Sequence, residues 1–288
     1  MRYKGEFMVK PGRSVDLRSI DPGSTGGYRD KEAACEKLDR DIEKLRDVQD
    51  VFIAAGRYAL LVIFQGMDTA GKDGAIKHVM SGINPQGVQV NSFKEPSAEE
   101  LRHDYLWRCV KMMPERGRVG IFNRSYYEDV LVTRVHRDLL GKMLPKSRSE
   151  QSKFWRYRYD DINAYERYLR RNGTHVLKFF LHVSSDEQRR RLLARLKDRT
   201  KQWKFSLSDV QQRAYWKQYR AAYDAMLSAT STTVAPWYVI PADHKWFTRV
   251  AVADILVDTL KSLRLSYPPL PTALKRQLRS LRTDLERS

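Results

Sequence analysis

The residues with the clearest chemical potential lie between Gly66 and Asp73, in the segment GMDTAGKD. A glycine-bounded loop that ends in lysine is typical of a phosphate site, because its backbone N–H groups turn inward onto phosphate oxygens and the lysine reaches the more distal phosphates. The alternative is an ordinary turn with a surface lysine. We favour a phosphate-binding loop (the P-loop, residues 66–72). Its predicted phosphate-binding residues are Gly66, Met67, Thr69, Ala70, Gly71, Lys72 and Asp73.

Two carboxylates in or beside the P-loop bear on metal binding. Asp68 lies inside the loop, where a carboxylate that faces phosphates is repelled unless a cation lies between them. Asp68 therefore predicts a metal site for Mg²⁺ or Mn²⁺, although it also suits a turn on conformational grounds alone. Asp73 stands where Ser or Thr normally ligates magnesium, and the dipole of the following helix explains an acidic residue there equally well.

A third group of polar residues follows the apolar segment RVGIF, in NRSYYED. Arg124 comes directly after this predicted strand, where it could hold a phosphate with two hydrogen bonds. Glu128 and Asp129 are neighbours in sequence, so on a helix their side chains diverge by about 100°. One of them can therefore face the site while the other caps the helix or forms an ion pair. The predicted catalytic residues are Asp68, Lys72, Arg124, Glu128 and Asp129.

Residues 189–220 are strongly basic, with eleven basic and two acidic residues. Arg191, Arg195 and Arg199 align on one face of a predicted helix. That face is either solvated, as charged helix faces usually are, or part of a lid that closes over phosphates and supplies positive charge. We favour a lid over residues 184–210. Its predicted phosphate-binding residues from this pattern are Arg195, Arg199 and Lys201.

Five short apolar segments alternate with amphipathic helical patterns. This alternation predicts an α/β fold, a doubly wound parallel five-stranded sheet with helices on both faces. The predicted strands are Ala59–Phe64, Val88–Phe93, Arg118–Phe122, His175–Val183 and Trp237–Ile240. Ligands bind outside the carboxyl ends of such strands, and four basic stretches follow strands directly, so we expect them to converge. These stretches are Lys72, Lys94, Arg124 and residues 184–208.

We expect one domain over residues 1–288, without repeats or linkers. It begins with an extended arm at 1–30, rich in Gly, Pro and Arg, and ends in a basic helical tail at 266–288. The helices between them follow apolar spacings of three and four residues. They are predicted at 31–52, after the P-loop, at 97–113, around 130–135, at 150–171, from 185 onward, from about 208 to 228, and at 246–263.

The composition is that of a globular protein of 288 residues, 42% hydrophobic and 31% charged. No apolar segment approaches the roughly 20 residues that cross a membrane. The N-terminus lacks the apolar core of a signal peptide, so we predict a cytoplasmic protein without a membrane partner. Cys35 and Cys109 lie far apart on predicted helices, which suits a reducing compartment without a structural disulfide. The six histidines have no metal-ligand spacing, which argues against zinc.

The excess of basic residues indicates a polyanionic partner. Lys and Arg number 53 against 35 Asp and Glu, which leaves a net charge of +18. Such an excess points to nucleic acid, an acidic membrane or a phosphate-rich substrate. Half of it lies in residues 189–220, eleven basic against two acidic. A charge that served only solubility would be spread along the chain.

Several motifs together resemble the polyphosphate kinase 2 family. They are GMDTAGKDG, FKEPS, FNRSYYEDVLVTRVH, RRRLLARLKDRTKQWKFS and LSATSTTVAPWYVIPADHKWF, and the resemblance covers about residues 30–265. FQGMDTAGK and FKEP also resemble thymidylate kinases. The family resemblance implies a P-loop kinase-like fold with a helical lid. It also implies Mg²⁺-dependent transfer of a terminal phosphoryl group between inorganic polyphosphate and a nucleotide.

The resemblance also implies roles for individual residues. Those carried over are Asp68 and Lys72 in the P-loop, and Arg124 with Asp129 as the strand-end pair. The resemblance also implies that Arg189, Arg190 and Arg199 are phosphate-binding residues of the lid. Many members have Asp and Asn where this chain has Asn123 and Glu128, and the present pair resembles the subgroup that accepts AMP as well as ADP. Asn123 weakens any metal role at its position. If polyphosphate lies along the P-loop, the nucleotide occupies an acceptor pocket. The predicted nucleotide-binding residues are Phe93, Lys94, Glu95, Asn123 and Arg124.

Two other functions stay open at this point. An ATP-dependent nucleoside monophosphate kinase of thymidylate-kinase-like type needs a base-specific donor pocket and no long basic groove. A nucleic-acid-binding basic P-loop protein would bind through residues 189–220, although the sequence has no nucleic-acid module motif. The expected partners are inorganic polyphosphate, the adenine nucleotides AMP, ADP and ATP, guanine nucleotides as further candidates, and copies of the same chain in a homo-oligomer.

Overall fold

The computed structural model describes residues 2–287, with the side chains of all but Arg2, Lys142, Lys204 and Arg279. Met1 and Ser288, the two ends of the predicted domain, lie outside the described residues. The strands are β1 Ala59–Gln65, β2 Val88–Ser92, β3 Val119–Asn123, β4 Thr174–His182 and β5 Trp237–Pro241. The α-helices are α1 Arg2–Glu6, α2 Lys31–Ala55, α3 Lys72–Val79, α4 Trp107–Val110, α5 Glu128–Val135, α6 Arg148–Arg171, α7 Ser185–Lys197, α8 Leu207–Gln212, α9 Trp216–Thr230, α10 Lys245–Ser262 and α11 Thr272–Arg287.

The five strands form one parallel sheet in the order β2-β3-β1-β4-β5. All seven residues of β1 are buried, as expected for a central strand that is covered on both faces. The chain winds outward from β1 in both directions, so the carboxyl end of β1 lies between those of β3 and β4. The predicted doubly wound α/β fold and its five strands are confirmed, with strand bounds within one residue of those predicted.

Each face of the sheet has its own hydrophobic core. Alternate residues of β1 enter the two cores, Leu60 and Val62 on one side and Leu61 and Ile63 on the other. Helices α2, α3 and α10 cover the first face, and α5, α6 and α9 cover the second. The prediction of helices on both faces is confirmed, and the two layers fix the ends of β1 and β3 from either side.

The prediction of a single helix over residues 97–113 is wrong. Ser97 and Glu100 make the two reciprocal hydrogen bonds of a capping box, but the turn that follows ends at Arg102. The backbone is extended at His103, and the Asp104 carboxylate then accepts a hydrogen bond from the N–H of Leu106. The chain therefore turns a second time before the separate short helix α4, which begins at Trp107 without a side-chain N-cap.

The N-terminal segment is not the extended arm that its composition suggests. It begins with helix α1, and Tyr3, Val9 and Leu17 are buried. Met8 pairs antiparallel with Tyr238 of β5, so the segment covers the exposed edge of the sheet, which would otherwise leave backbone groups unpaired.

The region after β4 is more broken than the sequence suggests. The helix predicted to run from about 208 to 228 is divided into α8 and α9 by a tight turn at Arg213–Tyr215. The C-terminal tail is helical, as predicted, and forms α11. Along residues 2–287 no helix combines the length and the apolar character that a membrane span needs.

Candidate active site

The P-loop connects β1 to α3 at the carboxyl edge of the sheet. Gly66 has φ +157°, and a Cβ there would lie 2.8 Å from the carbonyl oxygen of Leu181 on β4. Gly71 has φ +108° and stands at the N-cap of α3. Both positions need glycine, one for close approach to a neighbouring strand and one for the left-handed backbone that opens the helix.

Lys72 is buried at the start of α3. Its Nζ donates hydrogen bonds to the carbonyl oxygens of Gly66 at 2.6 Å and Met67 at 3.3 Å. Burial, reinforced by the nearby Arg124 guanidinium, lowers the pKa of Lys72 to about 8. The loop therefore encloses a lysine whose charge is poorly compensated, which is the condition that favours an incoming anion.

Arg124 follows β3 directly and has φ +65°, an uncommon backbone for a residue other than glycine. Its N–H donates to the carbonyl oxygen of Phe64 at 3.0 Å, which ties it to the end of β1. Its Nη2 lies 2.8 Å from Oδ1 of Asp68, and its Nη1 lies 3.9 Å from Glu128. Burial alone would lower the pKa of Arg124, but the carboxylates of Glu128 and Asp68 raise it. The guanidinium is therefore fixed beside the P-loop and stays charged.

Glu128 and Asp129 point in different directions, as their adjacency on a helix predicts. Glu128 lines the cleft beside Arg124, and burial raises its pKa despite the attraction of Arg124 and Lys72. Asp129 faces α6 instead, with Oδ2 2.9 Å from Nη1 of Arg158. Burial raises the pKa of Asp129 to about 6, against the opposing effect of Arg158. The structure thus brings Glu128, and not Asp129, together with Asp68, Lys72 and Arg124.

Helix α7 holds the P-loop backbone from the side. Gln188 donates to the carbonyl oxygen of Asp68 at 3.0 Å, and Arg191 donates to those of Thr69 and Ala70, each at 2.9 Å. Because the C=O and N–H of a trans peptide point in opposite directions, this directs the N–H groups of Thr69 and Gly71 away from α7. Sequence reasoning missed Gln188 and treated Arg191 only as part of a charged face.

The prediction that Arg191, Arg195 and Arg199 share one face of a helix is wrong. Arg191 is buried and has further bonds to the carbonyl oxygens of Ala242 and Asp243, so it anchors α7 rather than facing solvent or substrate. Helix α7 ends at Lys197, and Arg199 therefore lies beyond it.

The structure separates the other basic residues predicted for the lid. Arg189 and Arg190 are 66% and 77% exposed, and they pair with acidic residues of their own helix. Arg195 pairs at 3.1 Å with Asp209, which lines the cleft. Lys201 pairs with Asp198. The structure therefore brings Arg195 near the cleft but not Arg189 or Arg190.

A cleft lies between the P-loop, α5 and the segment that follows α7. An aromatic wall from α9 was not predicted: Trp216, Tyr219 and Tyr223 all line the cleft. The signal was present in their spacings of three and four residues, which place them on one helix face. The cleft is lined by Gly66, Met67, Asp68, Arg124, Glu128, Leu131, Val132, Gln188, Ser208, Asp209, Gln212, Trp216, Tyr219 and Tyr223.

The predicted nucleotide-binding residues meet at the ends of β2 and β3. The N–H of Phe93 donates to the carbonyl oxygen of Asn123 at 3.0 Å. The Asn123 side chain donates to Asp73 at 2.8 Å, which joins this group to the first turn of α3. Lys94 and Glu95 are exposed. The predicted nucleotide-binding residues therefore lie on the β2 side of the P-loop. The aromatic residues of α9 instead line the cleft.

The acidic groups fit a magnesium ion that is shared with a substrate. Within residues 2–287 no cluster of three acidic, histidine or cysteine side chains could hold a metal by itself. Asp68, Glu128 and Asp209 nevertheless line the same cleft. Mg²⁺ is usually held by one or two carboxylates together with substrate phosphates, so the donor set suits an ion that arrives with phosphate.

Comparisons with known proteins agree with this geometry. Residues 28–267 match the family described as polyphosphate kinase 2. The chain is 48% identical to an ADP-polyphosphate phosphotransferase of Rhodopseudomonas palustris over 97% of both chains. It is 43% identical to an AMP/ADP-polyphosphate phosphotransferase of Meiothermus ruber, over 93% of this chain and 97% of that one. A polyphosphate kinase 2 structure from Arthrobacter aurescens has a TM-score of 0.86 at 40% identity, over 97% of each chain. The chain therefore belongs to the polyphosphate kinase 2 family, whose P-loop kinase-like fold it shares.

Proposed function

We propose that this protein transfers a terminal phosphoryl group between inorganic polyphosphate and adenine nucleotides, making ADP from AMP and ATP from ADP, or the reverse. The family to which the chain belongs supports a transferase that acts on polyphosphate. Relatives named for ADP alone and for AMP with ADP both match nearly the whole chain. The Asn123 and Glu128 pair favours the wider acceptor range.

One observation carries this proposal: Lys72, Arg124 and Asp68 meet at the carboxyl ends of β1 and β3. Lys72 is buried under the P-loop, and Arg124 lies 2.8 Å from Asp68. Phosphoryl transfer needs donor and acceptor held in line, with positive groups on the equatorial oxygens and little covalent chemistry. This cluster supplies those positive groups.

The chemistry follows from the present hydrogen bonds. An incoming phosphate offers the Lys72 ammonium group an acceptor of opposite charge in place of the neutral carbonyl oxygens of Gly66 and Met67, and at a buried position this attraction is less screened than in water. Arg124 contacts the transferred group and offsets the charge that develops on it. No general base is needed, because a nucleotide phosphate is already ionised near neutral pH.

Magnesium completes the proposed site. Asp68 would hold Mg²⁺, or Mn²⁺ in its place, together with phosphate oxygens of the substrate. Bound there, the ion supplies positive charge that neutralises the phosphates and keeps donor and acceptor aligned. The Asp68 carboxylate accepts a hydrogen bond from Arg124. It would give up part of this contact in order to bind the metal.

We further propose that polyphosphate lies along the P-loop and that the nucleotide lies towards Lys94, Asn123 and Arg124. The contact of Phe93 with Asn123, and of Asn123 with Asp73, supports an acceptor site on that side. A crystal soaked with ADP and a short polyphosphate tests the placement. Nucleotide phosphates cradled by Gly66–Lys72, with polyphosphate elsewhere, would reverse it.

The proposed function is tested by supplying polyphosphate as the only phosphoryl donor. Purified protein is incubated with AMP, ADP, GMP or GDP and polyphosphate in magnesium buffer, and products are separated by ion-exchange chromatography. We expect ADP and ATP from the adenine nucleotides, and loss of activity when EDTA removes the metal. Phosphorylation of AMP only when ATP is added would instead indicate a nucleoside monophosphate kinase. Cytoplasmic location, homo-oligomer formation and use of guanine nucleotides remain predictions.

A further inference from the structure

We propose that a buried polar cluster beneath the β3–α5 turn positions Arg124 and Glu128 for phosphoryl transfer. The cluster consists of Tyr126, Tyr127, Glu166 and Lys178, and its two tyrosines act as positioning residues of the reaction. The inference rests on the proposed function for its activity readout. It concerns residues that lie behind the cleft and contact no substrate.

The two tyrosines are joined to a single carboxylate on α6. The hydroxyls of Tyr126 and Tyr127 donate to Oε1 of Glu166 at 2.9 and 2.8 Å. The other oxygen of Glu166 accepts from Nζ of Lys178, on β4, at 2.6 Å. Lys178 also donates to the Tyr127 hydroxyl and to the carbonyl oxygen of Thr230, each at 2.8 Å. Three elements of the fold, α6, β4 and α9, therefore meet at these two rings.

All four side chains of the cluster are removed from water. The side chains of Glu166 and Lys178 have 0% exposure, and burial raises the pKa of both tyrosines well above the ordinary value, so both hydroxyls keep the proton that they donate. A buried ion pair contributes little net stability compared with apolar residues of similar size. Its geometric effect is different, because a fully satisfied buried network specifies one arrangement of the chain around it.

That arrangement is the turn which carries the active-site residues. Tyr126 and Tyr127 lie between Arg124 and Glu128 in sequence, so the direction of their rings sets the direction of the turn. Arg124 has φ +65°, a conformation that persists only when its surroundings impose it. On the cleft side the turn is held by the bond from Arg124 N–H to Phe64. On the core side it is held by the tyrosine hydroxyls.

The test is a double-mutant cycle between the tyrosines and Arg124. The double variant Tyr126→Phe/Tyr127→Phe removes only the two hydroxyls, and it is made with Arg124 intact and in an Arg124→Lys background. Tyr159→Phe is the matched control, because this tyrosine is also buried on the same face of the sheet, but its hydroxyl contacts Arg134. Each protein is assayed for ATP formation from ADP and polyphosphate, and its melting temperature is measured.

If the hydroxyls act through Arg124, their removal lowers kcat/KM by about tenfold in the intact background and by less than about twofold in the Arg124→Lys background. Tyr159→Phe should lose less than about twofold in either background. An equal loss in both backgrounds, or no loss in either, overturns the inference. If the double variant does not fold, Tyr126→Phe alone, which lacks a single hydrogen bond, goes through the same cycle.

The activity of the unsubstituted protein separates this inference from the function on which it rests. If the unsubstituted protein makes no ATP from polyphosphate, the proposed function fails. The same cycle is then measured on the affinity for tripolyphosphate, determined by titration calorimetry. Non-additive losses of affinity still support positioning through Arg124, and additive losses reject it.

Discussion

The buried amine of Lys72 is easier to deprotonate than an exposed lysine. Two carbonyl oxygens are its hydrogen-bond acceptors, and its pKa is lowered to about 8. A phosphate bound at Nζ favours the protonated amine and raises that pKa again. Binding above pH 8 is therefore accompanied by uptake of a proton, which makes affinity depend on pH.

We expect the affinity for polyphosphate to fall as pH rises above about 8, by up to about tenfold per pH unit. Lys72→Arg is the control, because arginine stays protonated in this range. It should bind more weakly but with a flat pH profile between 7.5 and about 9.5. Calorimetric titrations at several pH values measure both, and parallel profiles for the two proteins would contradict the role given to Lys72.

The same lowered pKa has a consequence for folding. The unfolded chain holds the proton of Lys72 up to about pH 10.4, whereas the folded chain releases it from about 8. Between these values the unfolded state binds more protons, so the contribution of Lys72 to the free energy of unfolding rises with pH.

Glu128 and Asp129 offer a direct comparison of neighbouring carboxylates. Glu128 lines the cleft near Arg124, while Asp129 pairs with Arg158 on α6. We expect Glu128→Gln to lower kcat/KM by about tenfold or more, because Arg124 then loses its ion pair with this carboxylate. Asp129→Asn should change it by less than about threefold, with its main effect on thermal stability. Steady-state kinetics on both variants measures this, and the reverse order of losses would restore Asp129 as the strand-end catalytic partner.

At the scale of elements, the P-loop depends on glycine at the point where β1 meets β4. We predict that Gly66→Ala strains the loop, because its Cβ would meet the carbonyl oxygen of Leu181 at 2.8 Å. The expected cost is about 1–3 kcal/mol of stability, with loss of phosphate binding. Thermal unfolding and tripolyphosphate titration measure the two effects.

Gly74→Ala is the matched control for that variant. A Cβ at Gly74 meets nothing within 4 Å, and alanine is preferred to glycine inside a helix by about 1 kcal/mol. Gly74→Ala should therefore keep or raise the melting temperature and retain phosphate binding. Equal damage from both substitutions would show that the contact with Leu181 is not what requires glycine at position 66.

A sequence pattern predicts an element well when the residues that determine the element are close together in the chain. The P-loop and the five strands follow from contiguous patterns, so they could be placed within one residue. The anchoring of the P-loop by Arg191 joins residues more than 120 positions apart, which no local pattern can indicate. Helix geometry required Glu128 and Asp129 to diverge, but only the packing of α6 decides which of them faces the cleft.

The predicted lid shows the same limit. A run of arginines suggested one continuous charged face, because sequence spacing carries no information about what lies opposite. The structure buries Arg191 and pairs Arg195 with Asp209 from the next helix. The start of residues 184–210 is therefore fixed against the P-loop by Arg191, and a lid stays a prediction for the segment that follows.

For the whole molecule, charge is the property that matters most. Half of the net charge of +18 lies in residues 189–220, a segment whose Asp209, Gln212 and Tyr219 line the cleft. Such a distribution suits a long anion that extends beyond the transferred phosphate. Its effect on binding is screened by salt to an extent that depends on how many charges the ligand contacts.

We expect binding of long-chain polyphosphate to weaken more steeply with salt than binding of tripolyphosphate. Between about 50 and 200 mM salt, contacts with several phosphates cost about tenfold or more in affinity, whereas a short ligand confined to the P-loop releases fewer ions. Titrations of both ligands across this range measure the two slopes. Identical slopes would mean that the basic segment does not contact the polyphosphate chain.

The central claim is that the cluster of Lys72, Arg124 and Asp68 transfers phosphate from polyphosphate. The most direct measurement is the rate of ATP formation from ADP, with polyphosphate as the only donor, in three proteins. These are the unsubstituted chain, Arg124→Ala, and Arg189→Ala/Arg190→Ala, whose two arginines lie exposed on α7. We predict a loss of about a hundredfold or more for Arg124→Ala and less than about threefold for the α7 variant. Full activity in Arg124→Ala, or an equal loss in both variants, would contradict the account.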